Sequence, residues 1–356
     1  MKTLKRQDIE SCYQTEIVHP PLGKRRQDAI TGLFNRAPYP HFYQTWEWYG
    51  GLYFPKSFFF VLTYRKKALE AYSIIRRISY PVIDREKYIV ERGPVFSDIH
   101  AFDTHLRHLL NLLKPTGIWL KISPHIIGGP DSLKNVMADI GFKDDPRDHQ
   151  FYASTVVVDL ESPISKIKSH FRRSLVTQLN KAKRLNIIAQ KCDNLMDFQS
   201  FFNTLNFFRD KKGLEPIRNE GLHFFFQNIF KQQVKGIVMY AKRNDSMLAG
   251  IALFRNGNRL IYEWGFSSFN DAHRKLPLSH ILHWEGIKWA KQEGFSFYDF
   301  GGYWAERGNK NPINRFKTGF SNLIQALPQA QIYYFRPRLS YMMDRLSLAK
   351  HKFFQR

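Results

Sequence analysis

The chain has 356 residues, of which 43% are hydrophobic and 15% aromatic, enough for two hydrophobic cores and too many for a mainly disordered protein. Its 54 lysines and arginines against 31 acidic residues give a net charge of +23, which indicates a polyanionic partner such as a nucleic acid, an anionic membrane face or a phosphate-rich substrate. Two cysteines exclude a disulfide framework. With no apolar run long enough to span a bilayer and no signal-peptide core, the sequence predicts a soluble cytoplasmic protein, which we expect to be a monomer.

The first part of the chain predicts strands followed by a helix. Residues 1–40 are irregular, with a short helix near Arg25 to Phe34. Strands follow at 58–65, 68–79 and 87–96. A helix from His100 to Leu113 carries apolar residues at helical spacing and is expected to cover that antiparallel sheet. His105 and His108 stand at i and i+3 without a third ligand, so we predict partly exposed histidines and no metal site.

Residues 117–142 and 295–320 share one sequence pattern. Each has an apolar strand, a Gly-Gly pair, a helix that begins at a proline and a closing Gly-Phe pair. The glycine pairs are Gly128-Gly129 and Gly301-Gly302. The pattern predicts a duplicated α/β unit, in which residues 60–142 superpose on 238–320. Only the second copy crowds a carboxylate, two tyrosines and a lysine around one strand end, so the chemistry is expected there; the alternative is that the glycines only serve packing.

The second half is expected to begin at a boundary within residues 144–152. We predict domains at 1–152 and 153–330, with the tail 331–356 packing on the first domain or lying on an anionic membrane surface. A long helix over Pro163 to Asn186 has a basic face without acids. The candidate polyanion contacts on that face are Lys166, Arg173, Lys181 and Arg184, with His170 beside them. A solvated charged face is the alternative.

The remaining elements follow as helices, a meander and a final strand. A helix over residues 196–212 carries Thr204 and Arg209, and another is predicted from Leu278 to Gln292. Antiparallel strands are predicted between these helices, at 236–243, 247–256 and 259–266. The order of strands and helices is that of a mixed α/β domain.

Four motifs carry a resemblance to a known family. The segments YDFGG and NRFKTGF within 295–320, HFYQTWEWY (41–49), YIVERGPV (88–95) and FFNTLNFFRDKKG (201–213) resemble, in order, segments of the FemABX peptidyltransferases. The likeness covers about residues 40–335. It implies an α+β or α/β fold of two tandem GNAT-like (acyl-CoA N-acyltransferase-like) domains with mixed central sheets. The chain lacks a heptad-patterned helical hairpin and so resembles the compact members.

The resemblance implies transfer of an aminoacyl group from aminoacyl-tRNA to an amine of a nucleotide-linked or lipid-linked peptidoglycan precursor. Phe316-Lys317 matches the family's Phe-Lys pair, and a cation at Lys317 can stabilise the oxyanion, although a surface lysine is the alternative. The proton acceptor is expected to be Asp98 or Asp299, unless these are turn and strand-end residues. Arg209 resembles the family's binder of the substrate diphosphate. The residues expected to line the cleft and bind substrate are Tyr262, Tyr298, Tyr303 and Phe316.

One further departure from the family and one absence leave other functions open. The segment Tyr49-Gly50-Gly51-Leu52 lacks the phosphate-binding lysine that some members carry after this motif. Residues 274–279, RKLPLS, lack the glycines that hold a CoA pyrophosphate in this fold, so no cofactor is predicted. The first alternative is an N-acyltransferase with a carrier-protein or acyl-CoA donor. The second is a non-catalytic protein that binds RNA or the inner face of the membrane on a degenerate transferase fold.

Overall fold

The structure is a computed structural model that describes residues 12–125, 131–145, 153–218, 220–231, 235–243, 246–270, 273, 275–343 and 345. The chain divides into two compact units. Unit 1 comprises Met1–Tyr49, Tyr53–Asp148 and Pro328–Arg356, and unit 2 comprises Gly50–Leu52 and His149–Leu327. None of the helices among these described residues is long and apolar enough to cross a membrane.

Unit 1 is built on one mixed sheet. Its strands are β1 (Tyr13–Val18), β2 (Phe58–Arg65), β3 (Ala68–Tyr80), β4 (Arg85–Glu91), β5 (Val95–Phe96), β6 (Gly117–Ser123), β7 (Lys143–Asp144) and β15 (Gln331–Tyr334). Its helices are α1 (Lys24–Arg36), α2 (Trp46–Leu52, whose end is counted with unit 2), α3 (Ile99–Leu113) and α4 (Asp131–Ile140). The strand order is β1-β2-β3-β4-β6-β15-β7, with β5 beside β3. Only β4 and β6 pair in parallel among these strands.

Unit 2 is built on a second mixed sheet. Its strands are β8 (Ser154–Asp159), β9 (Gln190–Lys191), β10 (Gly236–Arg243), β11 (Ser246–Asn256), β12 (Arg259–Ser267), β13 (Phe297–Gly302) and β14 (Ile324–Ala326). Its helices are α5 (Ile164–Ser169), α6 (Arg173–Arg184), α7 (Leu195–Lys211), α8 (Leu222–Phe225), α9 (Leu278–Gln292) and α10 (Pro312–Lys317). The strand order is β14-β8-β13-β12-β11-β10-β9, and β12 and β13 form the parallel pair.

The two units repeat one order of connections. In each, three antiparallel strands lead through a 15-residue helix into a strand parallel to the third. The apolar face of α3 explains the first of these helices, because Phe102, Leu106 and Leu109 are fully buried in the core of unit 1. The mixed sheets are as predicted. The superposition of residues 60–142 on 238–320 stays a prediction, and Gly128-Gly129 lie outside the described residues.

The structure corrects two predictions about local structure. The predicted helix over 163–186 is broken between α5 and α6, because the Arg172 amide donates to the Gly319 carbonyl (2.9 Å) and its guanidinium donates to the Thr318 hydroxyl (3.1 Å). His105 is fully buried rather than partly exposed, and its ring nitrogens bond the hydroxyls of Thr63 and Ser73 at 2.7 and 2.8 Å. No metal-binding cluster is found in the described part of the chain.

The buried side chain of Gln44 joins two strands of unit 1 where their pairing is interrupted. Strand β3 pairs with β4 from Arg76 onward and with β5 at residues 71–72, which leaves the edge around Ile74 without a strand partner. The Gln44 amide accepts from the Ile74 N–H (2.7 Å) and donates to the carbonyls of Glu91 (2.7 Å) and Ile74 (3.3 Å). A Cβ at Gly93 would lie 2.6 Å from Gln44. This contact explains why the glutamine and Arg-Gly-Pro motifs occur together.

Replacing Gln44 by alanine should destabilise unit 1 strongly, because three backbone groups lose their partners, and the two of Ile74 are buried. At about 1–3 kcal/mol for each such group, partly relieved by water, we expect a loss of about 3–5 kcal/mol in the free energy of unfolding by urea. Gln14→Ala, at an exposed position of β1, is the matched control and should change it little. Equal stability of the two variants would show that Gln44 does not hold the strands together.

Candidate functional site

The candidate site lies in unit 2, where β12 and β13 separate. The two strands pair in parallel only from Arg259↔Phe297 to Ile261↔Asp299. Beyond this point the β11–β12 ladder accommodates Glu263 as an extra residue, and the β13–β8 ladder shifts between Asp299 and Gly302. Two bulges at one level therefore open the sheet at the carboxyl end of a parallel pair, which is where α/β sheets commonly bind ligands.

The ammonium group of Lys317 is held at this opening by two backbone carbonyls. Its Nζ donates to the carbonyl oxygens of Gly302 (2.6 Å) and Gly301 (3.2 Å). Gly301 has φ +68°, a left-handed conformation that favours glycine and turns these carbonyls toward the lysine. A lysine ammonium has three N–H donors, so one remains for a ligand oxygen.

Burial sets the electrostatics of Lys317. The residue is 8% exposed, and burial lowers the pKa of its ammonium from 10.5 to about 8, although the Asp299 and Glu263 carboxylates act in the opposite direction. Helix α10 places it there: the Asn311 side chain caps the helix N-terminus through the Ile313 N–H (2.8 Å). The alternative of a solvated surface lysine is therefore excluded, while its catalytic role stays a prediction.

Asp299 anchors the turn that presents the carbonyls. Its Oδ1 accepts from the Thr155 hydroxyl and from the Gly301 N–H (2.8 Å), and Oδ2 lies 3.6 Å from an Arg259 guanidinium nitrogen. Burial raises the pKa of this carboxyl, and the hydrogen bonds from Thr155 and Gly301 oppose that shift. Arg259 was missed by sequence reasoning because a strand-start arginine resembles an ordinary surface residue.

Asp98, the other predicted base, lies in unit 1 as the N-cap of α3. Its carboxylate accepts a hydrogen bond from the Ala101 N–H at 2.8 Å. This capping contact explains an aspartate at this position without a catalytic role. The structure thus brings Asp299 and Lys317 together in one unit and gives Asp98 a helix-capping contact. Its role as a base stays a prediction.

The predicted aromatic residues occupy different environments. Tyr298 is fully buried and its hydroxyl bonds His283 Nδ1 at 2.7 Å, so it lies in the core rather than on an open cleft. Tyr262, Tyr303 and Phe316 are partly exposed. Burial raises the pKa of Tyr262 to about 12, so its phenol stays protonated near neutral pH.

His283 is a buried polar group that sequence reasoning missed. Its ring contacts those of Tyr262 and Phe300 at 4.7 and 4.8 Å, and that of Phe316 at 5.4 Å. Burial lowers its pKa to about 3, with the Lys317 charge acting in the same direction, so the imidazole is neutral. The signal in the sequence was a histidine on the apolar face of α9. The His283 ring packs against Phe316, the neighbour of Lys317, and so helps to position the lysine.

Arg209 and the basic helices lie elsewhere in unit 2. The Arg209 Nε donates to the Glu215 carbonyl (2.7 Å), so one edge of the guanidinium organises the loop after α7. None of the described hydrogen bonds or ion pairs of Arg209 connects it to the Lys317 site. Lys166, Arg173 and Arg184 are exposed, whereas Lys181 donates to the Lys275 carbonyl (2.8 Å) just before α9.

Comparison with known proteins places this site in a recognised fold. Residues 169–318 match a family model described as an acetyltransferase (GNAT) domain. FemX is similar in structure, with a TM-score of 0.73, 13% identity and coverage of 92% of this chain and 99% of that chain. No curated protein matches the sequence.

Two further solved structures are also similar in fold. A domain from Agrobacterium fabrum described as the C-terminal domain of a putative lysylphosphatidylglycerol synthetase has a TM-score of 0.58, 11% identity and coverage of 86% and 91% of the two chains. A tandem GNAT protein from the clavulanic acid biosynthesis pathway has a TM-score of 0.52, 10% identity and coverage of 91% and 99%. The FemABX-like tandem GNAT fold and the acyltransferase domain are confirmed.

The buried charge of Lys317 predicts a pH-dependent stability. The pKa of the Lys317 ammonium is about 8 in the folded protein and 10.5 in the unfolded chain. Between these two pH values the unfolded chain binds more protons than the folded one, so stability rises with pH. Relative to Lys317→Met, we expect the wild-type free energy of unfolding to gain about 3 kcal/mol from about pH 7 to pH 10.5. Urea titrations at both ends measure it. Lys310→Met, at an exposed position, should show no such gain; a pH-independent difference for Lys317→Met contradicts the prediction.

Proposed function

We propose that this acyltransferase moves an aminoacyl group from an aminoacyl-tRNA to an amine of a peptidoglycan precursor. The observation that carries the proposal is the buried Lys317 ammonium on the Gly301 and Gly302 carbonyls, with one N–H left for a ligand. Acyl transfer places a negative charge on the carbonyl oxygen of its tetrahedral intermediate. A preorganised cation in a site shielded from water stabilises that charge more than water does.

The proposed reaction has two bond changes. The neutral amine of the acceptor attacks the ester carbonyl, and the oxyanion forms against the third N–H of Lys317. The attack forms the C–N bond, and the amine proton passes to Asp299 or Asp98. Collapse of the intermediate breaks the ester C–O bond, and the same carboxyl group returns that proton to the ribose oxygen, which leaves as the hydroxyl of the tRNA. Asp299 suits this role through the raised pKa of its buried carboxyl.

Several features support the nature of donor and acceptor. Helix α9 begins after Pro277 without a side-chain cap, and the segment before it has no glycine to admit a CoA pyrophosphate. Exposed basic residues on α5 and α6 fit a polyanionic donor. The name of the lysylphosphatidylglycerol synthetase describes an aminoacyl product, which supports an aminoacyl cargo on this fold. The sequence motifs favour a cell-wall peptide as acceptor, and Arg209 as the group that binds its diphosphate.

The proposal is tested by a transfer assay in which each candidate donor is combined with each candidate acceptor in a separate reaction. Purified protein is incubated with radiolabelled aminoacyl-tRNAs, or with acyl-CoA, and with either a nucleotide-linked or a lipid-linked muropeptide precursor. The expected product carries the label on the precursor peptide and forms only from aminoacyl-tRNA. Transfer from acyl-CoA alone favours the N-acyltransferase alternative, and no transfer from any donor contradicts the proposal.

Lys317→Met should slow the chemical step rather than weaken binding. Loss of an oxyanion donor costs about 10²–10³-fold in rate, or about 3–4 kcal/mol. We expect that loss in single turnovers at saturating donor and acceptor, because methionine keeps the length and apolar stem of the side chain. Lys310→Met is the matched control and should retain the wild-type rate.

The pH dependence separates a cation from a base at Lys317. If the ammonium acts as a cation, the single-turnover rate of the wild type declines above about pH 8, where the group loses its proton. Lys317→Arg keeps its charge in that range and should lose this alkaline decline. A wild-type rate in Lys317→Met contradicts the role of the ammonium in the chemical step.

The basic helices should contribute to donor binding. Arg173→Glu and Arg184→Glu together reverse two exposed charges on α6, and we expect weaker tRNA binding. The dependence of the binding constant on salt should also become smaller, because about one counterion fewer is released for each phosphate that the variant no longer binds. Filter binding at several salt concentrations measures both. Lys24→Glu with Lys66→Glu, two surface lysines of unit 1, is the charge-matched control. Equal effects of the two pairs show a response to net charge only.

A further inference from the structure

The hairpin turn between β3 and β4 of unit 1 exposes apolar side chains. Residues Pro81, Val82 and Ile83 form a single 3-10 turn with no buried member. Val82 is 99% exposed and Ile83 42% exposed. Three consecutive apolar residues in solvent depart from ordinary surface patterning and normally have a functional reason. We call these three residues the tip.

Three cations lie on this hairpin or beside it, and none of them pairs with a carboxylate among the described residues. Lys87 lies over the rings of Tyr80 and Trp119 at 5.2 and 5.5 Å, and Arg85 donates to the carbonyl of its own neighbour Asp84 (2.6 Å). The Lys56 carbonyl accepts from Arg77 of the same hairpin (2.7 Å). Among the described residues, no ion pair involves Lys56, Arg85 or Lys87. We call these three residues the collar.

The nearby acidic groups do not neutralise the collar. Glu86 is engaged by the Ser79 hydroxyl (3.0 Å) and the Tyr88 hydroxyl (2.5 Å), and lies 3.7 Å from Arg77. Asp84 adds one further exposed carboxylate at the turn, but Arg77 and the three collar cations together outnumber Asp84 and Glu86 by four charges to two. The collar charges therefore remain available to an external anion, in a protein whose net charge is +23.

We propose that the tip and collar dock unit 1 on the surface of an anionic phospholipid membrane. The tip would enter the boundary between headgroups and acyl chains, and the collar would meet the lipid phosphates. A projecting turn suits a bilayer, which needs no matching pocket, and the collar is complementary in charge to anionic lipids. This inference goes beyond the proposed reaction, because membrane docking does not require aminoacyl transfer.

The test is co-sedimentation with vesicles in the absence of donor and acceptor. Vesicles of phosphatidylcholine with about 30% phosphatidylglycerol are compared with pure phosphatidylcholine at about 0.1 M and 0.5 M salt. We expect binding to the anionic vesicles that weakens at high salt. Val82→Asp with Ile83→Asp should lower the partition coefficient about tenfold or more, because charged groups at the tip oppose insertion. Lys56→Glu with Lys87→Glu should weaken binding to anionic vesicles only.

The matched control places the same charges at other exposed apolar positions. Ile188 and Met196 of unit 2 are 68% and 79% exposed, and Ile188→Asp with Met196→Asp adds the same two charges. This control should bind vesicles like the wild type. Equal losses in the two aspartate pairs, no loss at the tip, or no binding of the wild type to anionic vesicles would each overturn the proposal. Thermal unfolding of every variant confirms that the exposed substitutions leave the fold intact.

Discussion

The contact between one buried ammonium and two glycine carbonyls organises the candidate site. It requires a left-handed Gly301, an Asp299 carboxylate that holds the Gly301 N–H, and a slipped ladder on each side of the opening. It also requires that α10 begin where Asn311 caps it. Burial lowers the pKa of this ammonium, and the nearby Asp299 and Glu263 carboxylates only partly oppose the shift. Because two carbonyls take two of its three N–H groups, one donor remains for a ligand. A single lysine thus depends on backbone geometry in three separate segments.

The two units treat the same topology differently. In unit 1 the parallel pair β4–β6 extends from Glu86 to Glu91, with one register shift between Glu86 and Lys87 and regular pairing from Lys87 onward. An interruption beside β3 is filled by the amide of Gln44. In unit 2 the parallel pair ends after Ile261, and no comparable glutamine amide closes the opening among the described residues. Where two neighbouring strands stay hydrogen-bonded, no room is left for a ligand between them. Where their hydrogen bonding ends, backbone carbonyls and side chains become available to a ligand. This difference is a physical reason to expect a ligand site in unit 2, and the prediction that the chemistry lies in the second copy stays a prediction.

Sequence patterns predict the helices and strands better than they predict the burial and contacts of individual side chains. The apolar spacing of α3, the strands β2 and β3 and the proline start of α10 follow from local periodicity and turn chemistry. The burial of Lys317 and the pairing of Tyr298 with His283 depend on groups 15 residues apart, and the break before α6 depends on groups 146 residues apart. A lysine on a short helix and a tyrosine in a strand have the same local sequence whether buried or exposed. Long-range contacts decide these cases, and a single sequence does not contain them as a pattern.

The placement of β15 has a consequence for the order of folding during synthesis. This strand pairs with β6 and β7 in the sheet of unit 1, yet it is translated after nearly all residues of unit 2. The nascent chain can therefore complete the second sheet while β6 still presents an unpaired edge. Exposed strand edges of this kind promote association with other chains. Chaperone binding to the emerging chain would thus be most useful in the interval between synthesis of β6 and synthesis of β15.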